Sequence, residues 1–332
     1  MKMNRLCASA LSACLLLSCT ANAYQVPIRS VSPSQISSVQ TDRTVTIPRN
    51  LLDAMEHDLE LKNFLRFISF RDIKKFLAKM EELYTSFDTS AQVLTTSHDL
   101  AYMDSACSGA ENAGPIGIVP ARLNGEAVTL VVLGGTMFVD GQAAGLKEDL
   151  LSALEQSNDY LKNVVRLFDT VDENGNPLIP ADKPVVVSGI SLGGMVAQQL
   201  LAQKDLMNRF DLRAIICFGS PMLAPCDRTK NTKVVRFCDT MDIVPYLGKS
   251  KLLDIIGQEI FDRVPSQVIQ ELDRKEMILK DGGYKSPISA HTLSYVDGAC
   301  WDGYDILGVY GGSNQLVMDR DMQFFANPSL TK

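Results

Sequence analysis

Residues 184–201 read Pro184-Val-Val-Val-Ser-Gly-Ile-Ser191-Leu-Gly-Gly-Met-Val-Ala-Gln-Gln-Leu-Leu201, and they predict a strand that runs directly into a helix. The three valines are β-branched and apolar on both faces, as in a central strand that helices cover. Met195 to Leu201 carry apolar residues at helical spacing. The turn between strand and helix is a G-x-S-x-G sequence, in which a Cβ on either glycine would strike the neighbouring strand or helix. We therefore expect the Ser191 hydroxyl to stand exposed above the carboxyl end of the strand.

Apolar strands alternate with amphipathic helices on both sides of this stretch. The predicted strands are 127–133, 185–187, 213–218 and 233–238, and the longest predicted helix is 146–168. This alternation is typical of an α/β fold with a mostly parallel sheet and helices on both faces. A helical pattern within 50–106 precedes the first clear strand and would cover one face of the sheet. Because the chain has no internal repeat and no clear linker, residues 50–332 are interpreted as one domain.

The N-terminal residues have the pattern of an export signal. A short cationic start, Met1 to Arg5, precedes an apolar run that is too short to span a bilayer. Ala21-Asn-Ala23 provides a small-x-small cleavage site, so residues 1–23 are interpreted as a signal peptide and the protein as secreted or periplasmic. The alternative is a lipoprotein box, Leu16-Leu-Ser-Cys19, which would leave Cys19 as a lipid-anchored N-terminus. Residues 24–49 lack periodicity and are interpreted as an extended arm.

The remaining composition narrows the class of partner. The formal net charge is −7 and no basic block is present, which argues against a nucleic-acid partner. Beyond the N-terminal run, no stretch is long and apolar enough to predict a transmembrane helix. No Cys-x-x-Cys sequence or His/Cys cluster predicts a metal site, and nothing in the sequence implies a cofactor.

Five cysteines follow the predicted signal peptide: Cys107, Cys217, Cys226, Cys238 and Cys300. In an oxidising compartment, an odd number of cysteines leaves at least one unpaired thiol in each chain or requires a disulfide between two chains. Cys217 lies in an apolar run and is expected to be an inert core thiol. Cys226 and Cys238 flank a polar stretch between two predicted strands and are the favoured disulfide pair. Cys107 with Cys300 is an alternative, and the spacing does not settle the connectivity.

A serine hydroxyl becomes a nucleophile when a base takes its proton, and that base needs a third group to hold its tautomer. α/β-Hydrolases carry these groups in the chain order serine, acid, histidine. His291 is the only histidine after Ser191 and is therefore the candidate base. The acid should lie between Ser191 and His291 in the chain, and Asp239 and Asp242 both follow the predicted strand 233–238. Asp242 is favoured because Ile243-Val-Pro245 would turn the chain away directly behind it, and Asp239 stays the alternative.

The oxyanion formed by such an attack needs backbone donors aimed at it. One candidate donor is the amide of Leu192, the residue after the nucleophile. The other would come from the loop after an earlier strand, where Gly134-Gly135 leads to Thr136. Thr136 could offer its amide and its hydroxyl.

Together these segments resemble those of the class 3 lipases, the fungal triacylglycerol lipase type within the α/β-hydrolase superfamily. The matching segments are Val131-Val-Leu-Gly-Gly-Thr136, Gly189-Ile-Ser-Leu-Gly-Gly-Met195, Phe218-Gly-Ser-Pro221, Asp242-Ile-Val-Pro245, and His291 with Tyr295. The resemblance covers about residues 95–305. It implies an α/β-hydrolase fold in which Ser191 is the nucleophile, Asp242 the acid, His291 the base, and Thr136 and Leu192 the oxyanion donors. Ile190 stands where the family has histidine and Gly134 where it has arginine, and the spacing from His291 to Tyr295 is longer than usual, which leaves the substrate preference open.

The resemblance also implies an activity, the hydrolysis of carboxylic esters of lipids at a lipid–water interface, without cofactor or metal. A phospholipase A1, a lipid acyltransferase or a peptidase would use the same residues, and a non-catalytic lipid-binding protein is the alternative outside enzymes. Family lipases bury the site under an amphipathic lid. The candidate lids here are 138–146 and 251–279, and the second could equally be an ordinary helix packed on the core.

Overall fold

The computed structural model describes residues 93–108, 115–136, 152, 157–221, 223, 232–242, 244–247, 277–285, 287–320 and 322–325. The predicted signal peptide, the arm and the helical cover up to residue 92 lie outside the described residues. The first candidate lid and residues 251–276 of the second also lie outside them.

The described strands and helices are numbered in chain order. The strands are β1 (Val93–Leu94), β2 (Ile116–Leu123), β3 (Glu126–Leu133), β4 (Val185–Ile190), β5 (Leu212–Phe218), β6 (Lys233–Asp239), β7 (Met277–Lys280), β8 (Leu316–Met318) and β9 (Gln323–Phe324). The α-helices are α1 (Ser97–Ser108), α2 (Asp159–Leu167), α3 (Leu192–Gln199), α4 (Lys204–Arg209), α5 (Pro287–Leu293) and α6 (Gly298–Trp301). Two short 3₁₀ helices cover Leu200–Ala202 and Val244–Leu247.

The strands form one mixed sheet in the order β1-β8-β2-β3-β4-β5-β6-β7, and β9 also pairs with β2. β3, β4, β5, β6 and β7 run parallel to one another. Consecutive parallel strands are neighbours, so their carboxyl ends lie along one edge of the sheet. The α/β prediction is therefore confirmed for the centre of the sheet.

One end of the sheet is antiparallel, and the prediction that residues 127–133 hold the first clear strand is wrong. β2 precedes β3 and pairs with it along its whole length, from Ile116–Leu133 to Leu123–Glu126. Asn124 and Gly125 form the two-residue turn, with φ of 52° and 90°. An Asn-Gly pair favours this hairpin because both residues tolerate positive φ. That dipeptide is a strong local signal which the sequence reasoning overlooked.

Residues 277–279, at the end of the second candidate lid, are part of β7. Their partners are Arg236, Phe237 and Cys238 of β6. The interpretation of the whole 251–279 stretch as a lid or helix is therefore wrong for these last residues, whose backbone pairs with the sheet.

Each face of the central strands packs against a different apolar cluster. Val185 and Val187 of β4 lie in a cluster with residues of α3. Val186, between them, points the other way into a cluster with residues of α1. Side chains alternate along a strand, so a strand that is buried at every residue, as β4 is, must be covered on both faces. Helices on both faces of the sheet are thus observed, as predicted.

The predicted helix over 146–168 is interrupted before α2. Residues 157 and 158 are not helical, and Asn158 is the N-cap of α2. Its Oδ1 accepts a hydrogen bond from the amide of Leu161 at 2.8 Å, and its Nδ2 donates to Ser152 Oγ at 2.7 Å. Because a capping side chain satisfies an amide that has no partner within the helix, Asn158 starts a new helix at this point.

The described cysteines are buried thiols. Cys107 Sγ lies 3.8 Å from Met322 Sδ, and Cys300 Sγ donates to the carbonyl of Gly282 at 3.1 Å, so the Cys107–Cys300 alternative is wrong. Cys238 is also a thiol, while its predicted partner Cys226 lies outside the described residues. Burial raises the pKa of Cys217 to about 12, which suits the inert core thiol that was predicted.

Within the parts of the chain that the structure describes, no helix is both long enough and apolar enough to cross a lipid bilayer.

Candidate active site

The residues singled out from the sequence meet at the carboxyl edge of the parallel strands. Thr136 lies just beyond β3, Ser191 directly follows β4, and Asp242 follows β6. His291 belongs to α5, the helix after β7. An open parallel sheet places the ends of neighbouring strands side by side, so residues far apart in the chain can approach one another there.

Ser191, His291 and Asp242 form a continuous hydrogen-bonded chain. His291 Nε2 lies 3.1 Å from Ser191 Oγ, and His291 Nδ1 lies 2.9 Å from Asp242 Oδ2. Asp242 is fully buried and His291 is 5% exposed. Because a carboxylate only accepts hydrogen bonds, Nδ1 donates to Asp242, and Nε2 is left to accept the proton of the serine hydroxyl. The arrangement can therefore draw a proton from Ser191.

Ser191 sits in a backbone conformation that few residues adopt. Its φ is 53° and its ψ is −118°, and among the described non-glycine residues only Asn124 shares a positive φ. The Ser191 amide donates to the carbonyl of Phe218 at 2.9 Å, and its carbonyl accepts from Ser220 Oγ at 2.6 Å. The surrounding bonds hold this strained turn at the end of β4, where Ser191 is half-buried rather than exposed.

Gly193 explains why the turn needs glycine on the helix side. A Cβ on this residue would lie 2.2 Å from the carbonyl oxygen of Leu133 and 2.5 Å from that of Gly134. The first turn of α3 therefore lies directly against the end of β3. A side chain would push the two elements apart, and this confirms the predicted contact with a neighbouring strand.

The candidate oxyanion donors lie where the first turn of α3 meets the segment that follows β3. Leu192 is the first residue of α3, so its amide belongs to the turn whose amides have no acceptor within the helix. Thr136 follows the end of β3 and is 2% exposed. The hydroxyl of Tyr160 lies 3.0 Å from the carbonyl of Gly134 and anchors this strand end. Amides at such a junction are suited to stabilising negative charge.

The carboxylate of Asp242 is held from three sides. Besides His291, its Oδ2 accepts from the hydroxyl of Tyr295 at 2.7 Å, and its Oδ1 accepts from the amide of Val244 at 2.9 Å. Val244 begins the 3₁₀ helix behind Asp242, so the chain turns away there as expected. These donors leave Oδ2 facing the imidazole.

The alternative acid, Asp239, does not contact His291. Its Oδ1 accepts from the amide of Met241 at 2.8 Å. Its Oδ2 faces Gly282. The geometry therefore selects Asp242 as the partner of the imidazole.

Sequence reasoning missed several residues that shape the site. Gly219 has a φ of +56°, and a Cβ on it would lie 2.9 Å from Asp242 Oδ2 and 2.7 Å from the Tyr295 ring. A glycine here leaves room for the contact between acid and tyrosine. Its only sequence signal was its place in the Phe218-Gly-Ser-Pro221 segment.

A second missed feature is a buried polar contact beneath the nucleophile strand. Ser188 Oγ of β4 donates to Asp104 Oδ2 of α1 at 2.7 Å, and both residues are fully buried. Burial raises the pKa of Asp104 well above its ordinary value, although the bond from Ser188 acts in the opposite direction. The signal for this contact in the sequence was the carboxyl of Asp104, which lies among apolar residues on one face of the helix.

Among the described residues, no group of three or more His, Cys, Asp or Glu side chains is arranged to hold a metal ion.

Tyr295→Phe is expected to lower the free energy of unfolding by about 1–3 kcal/mol. The ring keeps its packing, but the buried amide of Asp239, which donates to the hydroxyl at 3.0 Å, loses its acceptor. Asp242 loses a donor at the same time. Urea unfolding of wild type and variant measures the change. Tyr310→Phe is the matched control, since Tyr310 is 74% exposed; equal effects of the two substitutions would contradict the expectation.

Comparison with known proteins adds no relative to this geometry: no family model, no curated protein and no solved structure matches the chain.

Proposed function

We propose that the protein is a serine hydrolase of the α/β-hydrolase type, resembling the class 3 lipases, that cleaves carboxylic esters of lipids. The observation that carries the proposal is the unbroken chain from Ser191 Oγ through His291 to Asp242, with Ser191 in a strained turn. A surface serine and histidine meeting by chance would need neither the strained backbone nor a fully buried carboxylate behind the imidazole.

The proposed reaction has two steps. His291 Nε2 takes the hydroxyl proton while Ser191 Oγ attacks the ester carbonyl, and Asp242 stabilises the imidazolium that results. The amides of Leu192 and Thr136 stabilise the negative charge on the carbonyl oxygen. His291 then returns its proton to the departing alcohol and leaves an acyl group on Ser191. Water, activated by the same imidazole, releases the acid.

The proposed setting rests on the sequence. Residues 1–23 would act as a signal peptide that is cleaved near Ala23, and a lipid anchor on Cys19 is the alternative. The substrate would be presented at a lipid–water interface, by resemblance to the class 3 lipases. The stretches proposed as a lid over the site are 138–146 and 251–276, both outside the described residues.

A fluorophosphonate probe tests the proposal directly, because such probes react with activated serines and not with ordinary hydroxyls. Purified protein is expected to be labelled at Ser191 and to hydrolyse members of an ester panel that varies chain length and headgroup. The exposed-serine variant Ser313→Ala should take the label at Ser191 and hydrolyse the panel as wild type does. A protein that binds lipid but takes no label would instead be a non-catalytic lipid-binding protein.

A further inference from the structure

The segment that follows β5 lies against all three residues of the hydrogen-bonded chain. A Cβ on Gly219 would lie 2.9 Å from Asp242 Oδ2 and 3.2 Å from His291 Nδ1. The hydroxyl of Ser220 donates to the carbonyl of Ser191 at 2.6 Å. The described residues of this segment are called the strap: Gly219, Ser220, Pro221 and Leu223. A shift of the strap would therefore disturb the nucleophile, the base and the acid together.

The side chain of Gln198, in α3, bonds to the strap at two points. Its Nε2 donates to the carbonyl of Pro221 at 3.0 Å, and to that of Gly194 in its own helix at 3.0 Å. Its Oε1 accepts from the amide of Leu223 and from Nε of Arg236, each at 3.0 Å. Arg236, in β6, also donates from Nη2 to the carbonyl of Leu223 at 3.4 Å. One carboxamide thus joins the strap to strand β6 and to the helix that follows the nucleophile.

A carboxamide is the group that these partners require. Gln198 and Arg236 are both buried. The two carbonyls need donors, whereas the Leu223 amide and the guanidinium need an acceptor, so the partners also fix which end of the carboxamide carries the nitrogen. A carboxylate would present an acceptor to the two carbonyls. An apolar side chain would take this partner away from all four groups, which is unfavourable in a buried place.

We propose that Gln198 is a positioning residue: its carboxamide holds the strap against α3 and thereby keeps the Ser191 turn in register with His291 and Asp242. Gln198 lies about two helical turns beyond Ser191, so it acts through the strap and not by contact with substrate. Its effect on turnover rests on the proposed function. Its effect on the Ser191 turn can be measured whether or not the protein is a hydrolase.

Gln198→Glu releases the strap from α3 and leaves the buried guanidinium its partner. The glutamate has the same length and can still accept from Arg236, but when ionised beside it cannot donate to the carbonyls of Pro221 and Gly194. Gln198→Met, of similar length but without an N–H donor or a carbonyl, is measured beside it, so that the result does not depend on one variant. Gln203→Glu is the matched control, because it makes the same change at a half-buried residue whose Nε2 donates to a carbonyl of α3.

The first experiment measures amide hydrogen exchange in the folded protein. The Ser191 amide donates to the carbonyl at the end of β5 at 2.9 Å, and the Thr129 amide, at the opposite edge of the sheet, donates to the residue before β4 at 2.9 Å. We expect protection at Ser191 to fall by about tenfold relative to protection at Thr129 in both Gln198 variants, and the ratio to stay level in Gln203→Glu. A ratio that keeps its wild-type value in the Gln198 variants would overturn the proposal, because it would show a loss of global stability alone.

The second experiment measures kcat and KM on one ester. Misplacement of the nucleophile turn should lower kcat by about 10² in Gln198→Glu and leave KM nearly unchanged. Ser220→Ala removes the bond from the strap to the Ser191 carbonyl and should lower kcat by about tenfold. Because both substitutions act through the strap, the double variant should lose no more than about 10².

Two kinetic results would contradict this role of Gln198. One is a kcat of Gln198→Glu equal to that of Gln203→Glu, and the other is a loss in the double variant equal to the product of the single losses. If wild type hydrolyses no ester and takes no fluorophosphonate label, the proposed function fails. The exchange ratio at Ser191 then still decides whether Gln198 holds the turn.

Discussion

Replacing Ser191 with alanine is expected to lower kcat for ester hydrolysis by a factor of about 10⁶. The hydroxyl is the only atom of the hydrogen-bonded chain that can form the acyl intermediate, and His291 Nε2 lies 3.1 Å from it. Without it, the oxyanion donors and the binding site remain but no covalent step is possible. Single-turnover and steady-state assays on one short-chain ester measure the effect.

Ser313→Ala is the control for this substitution, because Ser313 is exposed and lies outside the site. It should leave kcat unchanged. The fluorophosphonate label should disappear from Ser191→Ala and persist in Ser313→Ala. If Ser191→Ala retained kcat within tenfold of wild type, another residue would be the nucleophile and the proposed function would be wrong.

Asp242→Asn is expected to lower kcat by a factor of about 10⁴. Asp242 accepts hydrogen bonds on both oxygens, from Val244 on one and from Tyr295 and His291 on the other. An asparagine has a single acceptor oxygen. If that oxygen faces Val244, the amide group faces Nδ1 and drives the imidazole proton to Nε2, where it blocks proton transfer from Ser191. If the oxygen faces the imidazole, the amide group opposes the Val244 N–H and the turn is strained.

Asp302→Asn is the matched control, since Asp302 is exposed at the end of α6. It removes the same charge and should leave kcat unchanged. Near-native turnover in Asp242→Asn would mean that the imidazole is oriented by another group. That result would contradict the geometry, in which Asp239 is turned towards Gly282.

The central strands and the strained serine turn were predictable because their signals are local. Three consecutive valines between Pro184 and the G-x-S-x-G turn predict a buried strand. A strand that is apolar on both faces has to be covered by helices on both faces of the sheet. The turn chemistry of Ser191 likewise depends on glycines two residues away. The Asn124-Gly125 turn is an equally local signal. Because it was not interpreted as a hairpin, the antiparallel end of the sheet was not predicted.

Other features depend on contacts between distant parts of the chain. The Asp104–Ser188 contact joins a helix to a strand 84 residues later. Gly219 is needed because Tyr295 and Asp242 pack on it, and no pattern around Gly219 reports their presence. Sequence periodicity describes which way one element faces, and it carries no information on which element lies opposite.

Local sequence was therefore enough to identify Ser191 as the candidate nucleophile, His291 as its candidate base, and the end of β6 as the place for the acid. It favoured Asp242 over Asp239, which lies three residues earlier after the same strand, but it left both open. Folding made that choice: the turn bonded through Asp239 points one carboxylate at Gly282, and Tyr295, 53 residues further on, holds the other against the imidazole. The direction of a side chain at a strand end is determined by what packs against it, and those groups come from elsewhere in the chain.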